Sequence, residues 1–391
     1  MPSKSVTGVN PQILRWARTT VNMTLSQVAT TLKRKSEEIE AWENGTSAPT
    51  YSQLEKLAYE VYKRPLATFF LPVVPEEKLP KSEFRTLPLA DMETLEKDTC
   101  LKIRKAHAYQ LSLFDIFSGK NPANQKIWKE VLLSFSDHVA TQAQLVREKL
   151  GITLQKQIDW KSDEQALKAW RQAIEECGIF VFKDTFKQKD ISGFCLIDEN
   201  FPIILINNST TKTRQIFSLM HELAHLLLDM NGISKFDSSY INQLSSIHQK
   251  IEQFCNAIAA EILIPEQDFR EQVKRLPSNV EQATEEQFAT LAKRYGVSRE
   301  AVLRRLLDKG YVSRSFYNEK SRIWTAQLKK TGSGGDWYRS QKTYISERFA
   351  GEVIGRHYRQ QISLEQAAEL LGLKPKNYAK FEETFLQGAS V

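Results

Sequence analysis

Residues 218–228 read SLMHELAHLLL, and this stretch decides both the fold and the chemistry of the sequence. His221, Glu222 and His225 form an HExxH motif inside a run that is otherwise almost wholly apolar. Four residues of α-helix advance about 6 Å and a little over one turn, so both imidazoles project from one face. Two such histidines supply nitrogen ligands for zinc, and Glu222 lies beside them as a base for a water molecule. The motif therefore predicts a metal site on an apolar helix.

A core helix that carries stray polar residues is the alternative interpretation of this stretch. A chance HExxH in a chain of this length is roughly a one-in-a-hundred event, so the motif alone can mislead. However, three buried polar groups that share no purpose would each cost about 1–3 kcal/mol if they were unsatisfied. That cost favours the metal site.

A third ligand is predicted on another helix, in residues 250–265, which read KIEQFCNAIAAEILIP. Glu252 and Asn256 lie four residues apart on one face of this helix. Glu252 would complete a site of two histidines and one glutamate, with one position open for water. Asn256 could form a hydrogen bond to a ligand histidine. Two alternatives stay open: Glu261 is the ligand instead, or Glu252 is a solvent-facing residue that the helix dipole favours.

The remaining polar candidates near the motif are weaker. Tyr240 and His248 are candidates for hydrogen-bond donors to a transition state. His248, in SSIHQK, is also interpretable as an exposed polar residue, and the sequence favours that interpretation. The other histidines lie in unrelated helical segments and are treated as surface or packing residues: His107, His138 and His357.

The two motifs together, RQIFSLMHELAHLLL and IEQFCNAIAAEILIP, resemble the ImmA/IrrE family of metallopeptidases. The resemblance implies a zincin-like, gluzincin-type peptidase fold with one zinc ion per chain. It implies that His221, His225 and Glu252 bind the zinc, that Glu222 is the general base and that Asn256 supports a ligand. Cys255 and Ile258 replace the family's usual Ala and Phe, and both keep an apolar packing role. Family members act as regulatory proteases that cut a repressor with its own helix-turn-helix, so a similar protein substrate is expected here.

Residues 10–72 resemble an XRE-type helix-turn-helix domain, especially in LSQVATTL and IEAWENGTSAPT. The predicted core positions carry apolar residues: Leu25, Val28, Ala29, Ile39 and Trp42. The predicted recognition helix, residues 36–43, carries four glutamates, which repel a duplex. Lys33, Arg34 and Lys35 compensate for them only in part. Binding of double-stranded DNA and docking of a protein or a second copy both stay open for this unit.

Two later segments have a similar shape. Residues 286–310 carry Arg299, Arg304 and Arg305 after a YGVS turn, and either DNA contact or structural support fits them. The stretch ISLEQAAELLGLKPKNYAKF has a cap at Ser363 and a turn at Gly372. The region from residue 311 is basic and aromatic, a composition that fits helical packing as well as nucleic acid.

The whole sequence predicts a mainly α-helical chain with a small β-sheet, an α+β fold. Three strands are predicted in IFVFK, ISGFCLID and FPIILIN because these runs are rich in Ile, Val and Phe. The predicted domains are a helix-turn-helix domain (1–72), a helical linker region (73–160), a zinc peptidase domain (161–310) and a basic helical region (311–391).

The 391 residues carry a net charge of +7, which permits an acidic partner but does not require one. The four cysteines contain no CxxC pair, which argues against a disulfide framework and fits a reducing cytosol. The sequence has no signal-peptide pattern and no apolar run of membrane-spanning length, so a cytoplasmic protein without a membrane partner is expected. A homodimer stays an open alternative.

These observations lead to two hypotheses of different classes. The first is a zinc-dependent endopeptidase that cleaves a specific repressor or regulator in a phage, mobile-element or stress response. The alternative is a DNA-binding transcriptional regulator or interaction scaffold whose zinc site is structural or vestigial. Glu222 weighs against the alternative, because a purely structural site has no need of a base.

Overall fold

The computed structural model describes residues 4–77, 84, 94–235, 241, 244–327 and 343–387. The chain divides into two compact units: Met1–His107 with Phe186–Lys189, and Ala108–Thr185 with Asp190–Val391. The division falls inside the predicted linker region 73–160, and the predicted domain boundaries stay predictions. In the described part of the chain, no helix is long and apolar enough to cross a membrane.

The first helices of the first unit are α1 (Pro11–Thr20), α2 (Leu25–Leu32), α3 (Ser36–Glu43) and α4 (Tyr51–Lys56), followed by a π-helical turn (Leu57–Tyr62) and a 3-10 helix (Leu66–Phe70). Three of these four α-helices, α1, α2 and α4, begin after a residue whose side chain caps the helix. Thr24 and Thr50 cap α2 and α4 through reciprocal hydrogen bonds with Gln27 and Gln53. Each pair satisfies backbone N–H groups that the first helical turn leaves unpaired, so the local sequence fixes these helix starts.

The apolar faces of these helices form the core of the first unit. Its buried residues include Ile13, Leu14, Ala17, Val28, Ala29, Ile39, Trp42, Leu54, Leu57, Val61 and Phe69. Glu43 is also buried, and it accepts hydrogen bonds from Arg18 Nε and Nη2 at 2.7 and 2.9 Å. One of the four glutamates of α3 is therefore neutralised inside the unit and does not face a partner.

The second unit is mainly helical. It contains the C-terminal part of α5 (Lys97–Ile116), and its further helices lie before, between and after the strands of one small sheet. These helices are α6 (Ile127–Glu130), α7 (Val139–Lys149), α8 (Leu154–Ile158), α9 (Asp163–Glu176), α10 (Lys212–Leu227), α11 (Ser246–Leu263), α12 (Glu266–Val273), α13 (Glu285–Tyr295), α14 (Arg299–Asp308), α15 (Arg314–Gln327), α16 (Glu347–Tyr358), α17 (Leu364–Leu370) and α18 (Tyr378–Gln387). Short 3-10 helices occur at Val280–Gln282 and Pro375–Asn377.

The sheet has the strand order β1-β3-β2-β4 and is mixed. Its strands are β1 (Phe180–Asp184), β2 (Ile191–Leu196), β3 (Ile203–Asn207) and β4 (Gly232–Lys235). β1 and β3 are parallel, whereas β2 is antiparallel to both β3 and β4. The prediction of a mainly α-helical chain with a small sheet is confirmed. The fourth strand, β4, was not predicted from the sequence.

Helices α10 and α11 lie at the centre of this unit and pack along each other. Thr211 caps α10 by accepting a hydrogen bond from the backbone N–H of Arg214, and every residue of α10 from Ser218 to Leu227 is buried. Apolar residues of α11 join the same core, among them Ile251, Cys255, Ile258, Ala259 and Ile262. A helix that is apolar all round is buried all round, so the few polar residues of α10 are held inside the protein.

Candidate metal centre

The packing of α10 against α11 brings three ligand side chains to one point. The Nε2 atoms of His221 and His225 are 3.1 Å apart. Glu252 Oε2 lies 3.3 Å from His221 Nε2, and Glu252 Oε1 lies 3.3 Å from His225 Nε2. Within the described residues, this trio is the group of histidine, cysteine or acidic side chains whose ligand atoms lie close enough together to hold a metal ion.

These separations fit a zinc ion. Zinc bonds of about 2.0–2.1 Å in a tetrahedral arrangement leave the ligand atoms roughly 3.3 Å apart. Two imidazoles and one carboxylate are also the donor set of many catalytic zinc sites, in which the fourth position stays open for water. His221, His225 and Glu252 can therefore hold the metal that the sequence predicts.

Two neighbouring residues orient the histidines. Asn256 Oδ1 lies 2.9 Å from His221 Nδ1. Because this oxygen can only accept, Nδ1 carries the proton and Nε2 keeps its lone pair for the metal. Among the described residues, His225 Nδ1 has no hydrogen-bond partner, and its ring packs directly on Gly232 of β4. A Cβ atom at Gly232 would lie 2.6 Å from His225 Cγ, so only glycine leaves room for the ring.

Glu222 is fully buried, and its two carboxylate oxygens have different surroundings. Ser234 Oγ, on β4, donates a hydrogen bond to Glu222 Oε1. Glu222 Oε2 is buried and has no hydrogen-bond partner in the part of the chain that the structure describes. The register of β4 against β2, with Ser234 opposite Gly193, sets the serine at this position. One oxygen is therefore held in place, and the other remains available to a small polar molecule.

Burial and charge act in opposite directions on the two carboxylates. Burial disfavours ionisation of Glu252, but the charges and hydrogen bonds of His225 and His221 outweigh it and lower the pKa of Glu252. Burial raises the pKa of Glu222, and the two histidines offset this effect only in part.

The centre is deeply buried. The side chains of His221, His225 and Glu252 are only 5%, 2% and 5% exposed. Phe217, whose ring centroid lies 6.4 Å from that of His221, is partly exposed, as is Asn256.

Two cysteines near the centre were not singled out as site residues in the sequence. Cys195 of β2 and Cys255 of α11 are fully buried. Burial raises the pKa of both thiols well above its usual range. The charge of Glu222 adds to the effect at Cys195, and the charges of Glu252 and Glu222 add to it at Cys255. Both thiols are therefore neutral. Cys195 Sγ donates a hydrogen bond to the Met230 carbonyl oxygen at 3.7 Å, whereas Cys255 lies among apolar core residues, as expected.

The other residues proposed for the site lie elsewhere. Glu261 is buried, forms an ion pair with Arg305 and accepts a hydrogen bond from the backbone N–H of Glu266, so its carboxylate is committed away from the histidines. His248 Nδ1 lies 2.6 Å from Ser245 Oγ at the exposed start of α11. Tyr240 lies outside the described residues.

The cations proposed as nucleic-acid contacts have different surroundings. Arg299 Nη1 lies 3.0 Å from Glu285, and Arg304 Nε lies 2.9 Å from Asp308. Arg305 is buried against Glu261, so its guanidinium is not available at the surface. The three cations of the first unit are exposed, and none forms an ion pair with another described residue: Lys33, Arg34 and Lys35.

Comparisons with known proteins agree with the position of this centre. Residues 174–307 match a family model described as the IrrE N-terminal-like domain. The chain is also 34% identical over 113 residues to the radiation response metalloprotease IrrE of Deinococcus radiodurans. That alignment covers 28% of this chain and 32% of the relative, so the chain spans about a third of the relative's length. Both similarities support the resemblance of this part of the chain to the ImmA/IrrE family, and residues 1–72 lie outside the match to the family model.

Proposed function

We propose that this chain is a zinc-dependent endopeptidase of regulatory type, which cleaves a specific repressor or regulator protein and so changes transcription. The observation that carries the proposal is the convergence of His221, His225 and Glu252 around one point, with Glu222 on the same helix turn as the histidines. The similarities to the IrrE N-terminal-like domain and to a metalloprotease support a metallopeptidase.

Different residues of the chain would bind the zinc and orient its ligands. His221 Nε2, His225 Nε2 and the Glu252 carboxylate would hold the zinc. When bound, zinc polarises the scissile carbonyl of a peptide and lowers the pKa of the attacking water. Asn256 keeps His221 in the tautomer that presents Nε2, so the ligand set is oriented before a metal arrives.

Glu222 would move the proton. Its unpartnered oxygen, Oε2, accepts the proton of the attacking water, while the bond from Ser234 keeps Oε1 in place. The same carboxyl group then passes the proton to the leaving amine of the cleaved peptide. Ser234 acts here as a positioning residue, because it touches Glu222 and not the substrate.

The alternative is a DNA-binding regulator or interaction scaffold with a structural zinc site. The burial of the three ligands is an observation that favours this alternative. Structural zinc sites are closed by four protein ligands. The described residues supply three, and a buried carboxylate oxygen without a partner stands next to them. This combination favours catalysis over a structural role.

The proposal is tested by sequencing new protein N-termini in cells that express the wild type or Glu222→Gln. Cleavage of a regulator should give N-termini that appear with the wild type and are absent with the variant. Both proteins should carry equal zinc, because Glu222 is not a ligand in this proposal. The same set of N-termini with both proteins, at equal zinc content, would overturn it.

A further inference from the structure

Three pairs of helices in this chain share one backbone frame. In each pair, a residue with left-handed φ follows the first helix: Lys33 (φ 56°), Gly296 (φ 62°) and Gly372 (φ 65°). The second helix begins three residues later in every case, at Ser36, Arg299 and Pro375. The pairs are α2 with α3, α13 with α14, and α17 with the 3-10 turn that leads into α18.

The buried positions of the three pairs also coincide when they are counted from the left-handed residue. The position four residues before it is a buried alanine each time: Ala29, Ala292 and Ala368. The position six residues after it is buried as well: Ile39, Val302 and Tyr378. A small buried residue allows close approach of the neighbouring helix, so the three pairs share the turn and the buried positions expected of a helix-turn-helix unit.

Three positions that are not buried, at and just after the start of the second helix, distinguish the three pairs. The positions two, four and eight residues after the left-handed residue are Lys35, Glu37 and Ala41 in the first pair, and Ser298, Glu300 and Arg304 in the second. In the first pair, these three residues lie among the glutamates of α3. In the second, the one cation among them is paired with Asp308. Neither helix offers a run of cations to a phosphate backbone.

The third pair carries a lysine at all three positions: Lys374, Lys376 and Lys380. All three side chains are exposed. Lys374 and Lys376 form no ion pair with any residue in the described ranges. Lys374 and Lys376 lie at and in the 3-10 turn, Lys380 lies in the first turn of α18, and Glu383 follows Lys380 one turn later. The start of this helix therefore presents a cationic surface.

We propose that the helix pair of residues 364–387 binds double-stranded DNA through Lys374, Lys376 and Lys380. The major groove admits an α-helix, and the second helix of such a pair enters it with its N-terminal end. The positive end of the helix dipole adds to the lysine charges at the place where phosphates approach. Lysines contact phosphates without reading bases, so the binding depends strongly on salt and only weakly on sequence.

This inference is independent of the proposed peptidase activity, because none of its residues belongs to the metal centre. It also assigns the DNA contact to a region other than the two proposed from the sequence. Among the three pairs that share the frame, only the C-terminal pair carries a lysine at each of the three compared positions.

The test measures binding of the full chain to a labelled duplex of about 30 base pairs, roughly three helical turns, by fluorescence anisotropy over a salt series. The variant Lys374→Ala/Lys376→Ala/Lys380→Ala should bind at least about tenfold more weakly at moderate salt. The slope of log affinity against log salt should also fall in magnitude by about 3, one per lost phosphate contact. A matched control, Lys129→Ala/Lys161→Ala/Lys168→Ala, removes three exposed lysines from another segment of the same unit and should bind like the wild type.

Four results would overturn the inference. The first is that the full chain does not bind the duplex even at low salt. The second is that the triple variant binds with the affinity and salt slope of the wild type. The third is that duplex affinity falls in Lys33→Ala/Arg34→Ala/Lys35→Ala instead, which would assign the contact to the first unit. The fourth is that the chain binds single-stranded DNA or RNA more tightly than the duplex, which would assign the surface to another nucleic acid.

Discussion

Gly232→Ala would test the contact that orients His225. The added Cβ atom would lie 2.6 Å from Cγ and 2.7 Å from Cδ2 of the His225 ring, distances that real Cβ atoms essentially never show. The ring would have to move by roughly 1 Å to reach ordinary contact, whereas metal–ligand distances tolerate deviations of only about 0.2 Å. The substitution should therefore displace one zinc ligand without removing it.

Two effects of different size are expected from this displacement. Extra volume in a well-packed core costs about 1–3 kcal/mol, so the metal-free variant should unfold more easily by that amount. Disturbing a group that orients a ligand lowers metal affinity by about 10–100-fold, which corresponds to a further loss of about 1.4–2.7 kcal/mol in the zinc-bound form. The zinc-bound protein should therefore lose more stability than the metal-free protein.

Urea unfolding with and without zinc, together with competition against a chelator of known affinity, separates the two effects. Gly351→Ala is the matched control, because its Cβ atom would meet only Phe385 at 3.9 Å and its helical position favours alanine. The control should bind zinc like the wild type and be equally stable or slightly more stable. Wild-type zinc affinity in Gly232→Ala would refute the reasoning.

Three further predictions concern single residues. Asn256→Ala should lower zinc affinity by about 10–100-fold in chelator competition, because His221 loses the partner that fixes its tautomer; unchanged affinity would contradict this. Glu261→Ala should cost about 3–5 kcal/mol in urea unfolding, because Arg305 is left buried and unpaired, yet zinc content should stay at the wild-type value. Burial lowers the pKa of Lys183 to about 7 from the usual 10.5, so the unfolded chain binds more protons between these values and the free energy of unfolding should rise with pH there. Lys183→Met should remove this rise in urea titrations over that pH range, and an identical rise in both proteins would contradict the assigned pKa.

The part of the centre that lies on helices follows from local spacing. His221 and His225 share a helix face because they are four residues apart, and Glu252 and Asn256 share one for the same reason. Both segments are apolar enough to predict that they pack in one core. The sequence therefore predicts which faces contain polar groups, and the packing of α10 against α11 brings those faces together.

The residues contributed by β4 could not be predicted in this way. Ser234 and Gly232 lie in a strand of four residues, too short for a period-two pattern to be recognised. Their positions depend on the pairing of β4 with β2, which is a tertiary contact. The same limit applies to Arg305, because an arginine among apolar residues looks like a surface cation until its buried partner, Glu261, is known.

In the three helix pairs, too, some features follow from the local sequence and others depend on tertiary contacts. A cap before the first helix and a turn after it are local features, and the sequence predicts them at Ser363 and Gly372. Whether a cation on the second helix is available to a partner depends on its neighbours in space. Arg304 is paired with Asp308 one turn further along its own helix, whereas Arg305 is buried against Glu261 of α11, a partner that the sequence alone does not identify.

The central claim is that His221, His225 and Glu252 hold one zinc ion. It is tested most directly by the zinc content of the wild type, Glu252→Ala and Glu261→Ala, all purified without added metal. The account predicts about one zinc per chain in the wild type and in Glu261→Ala, and a large loss in Glu252→Ala, which keeps only two ligands. A folded wild type without zinc, or a Glu252→Ala variant that retains it, would contradict the account.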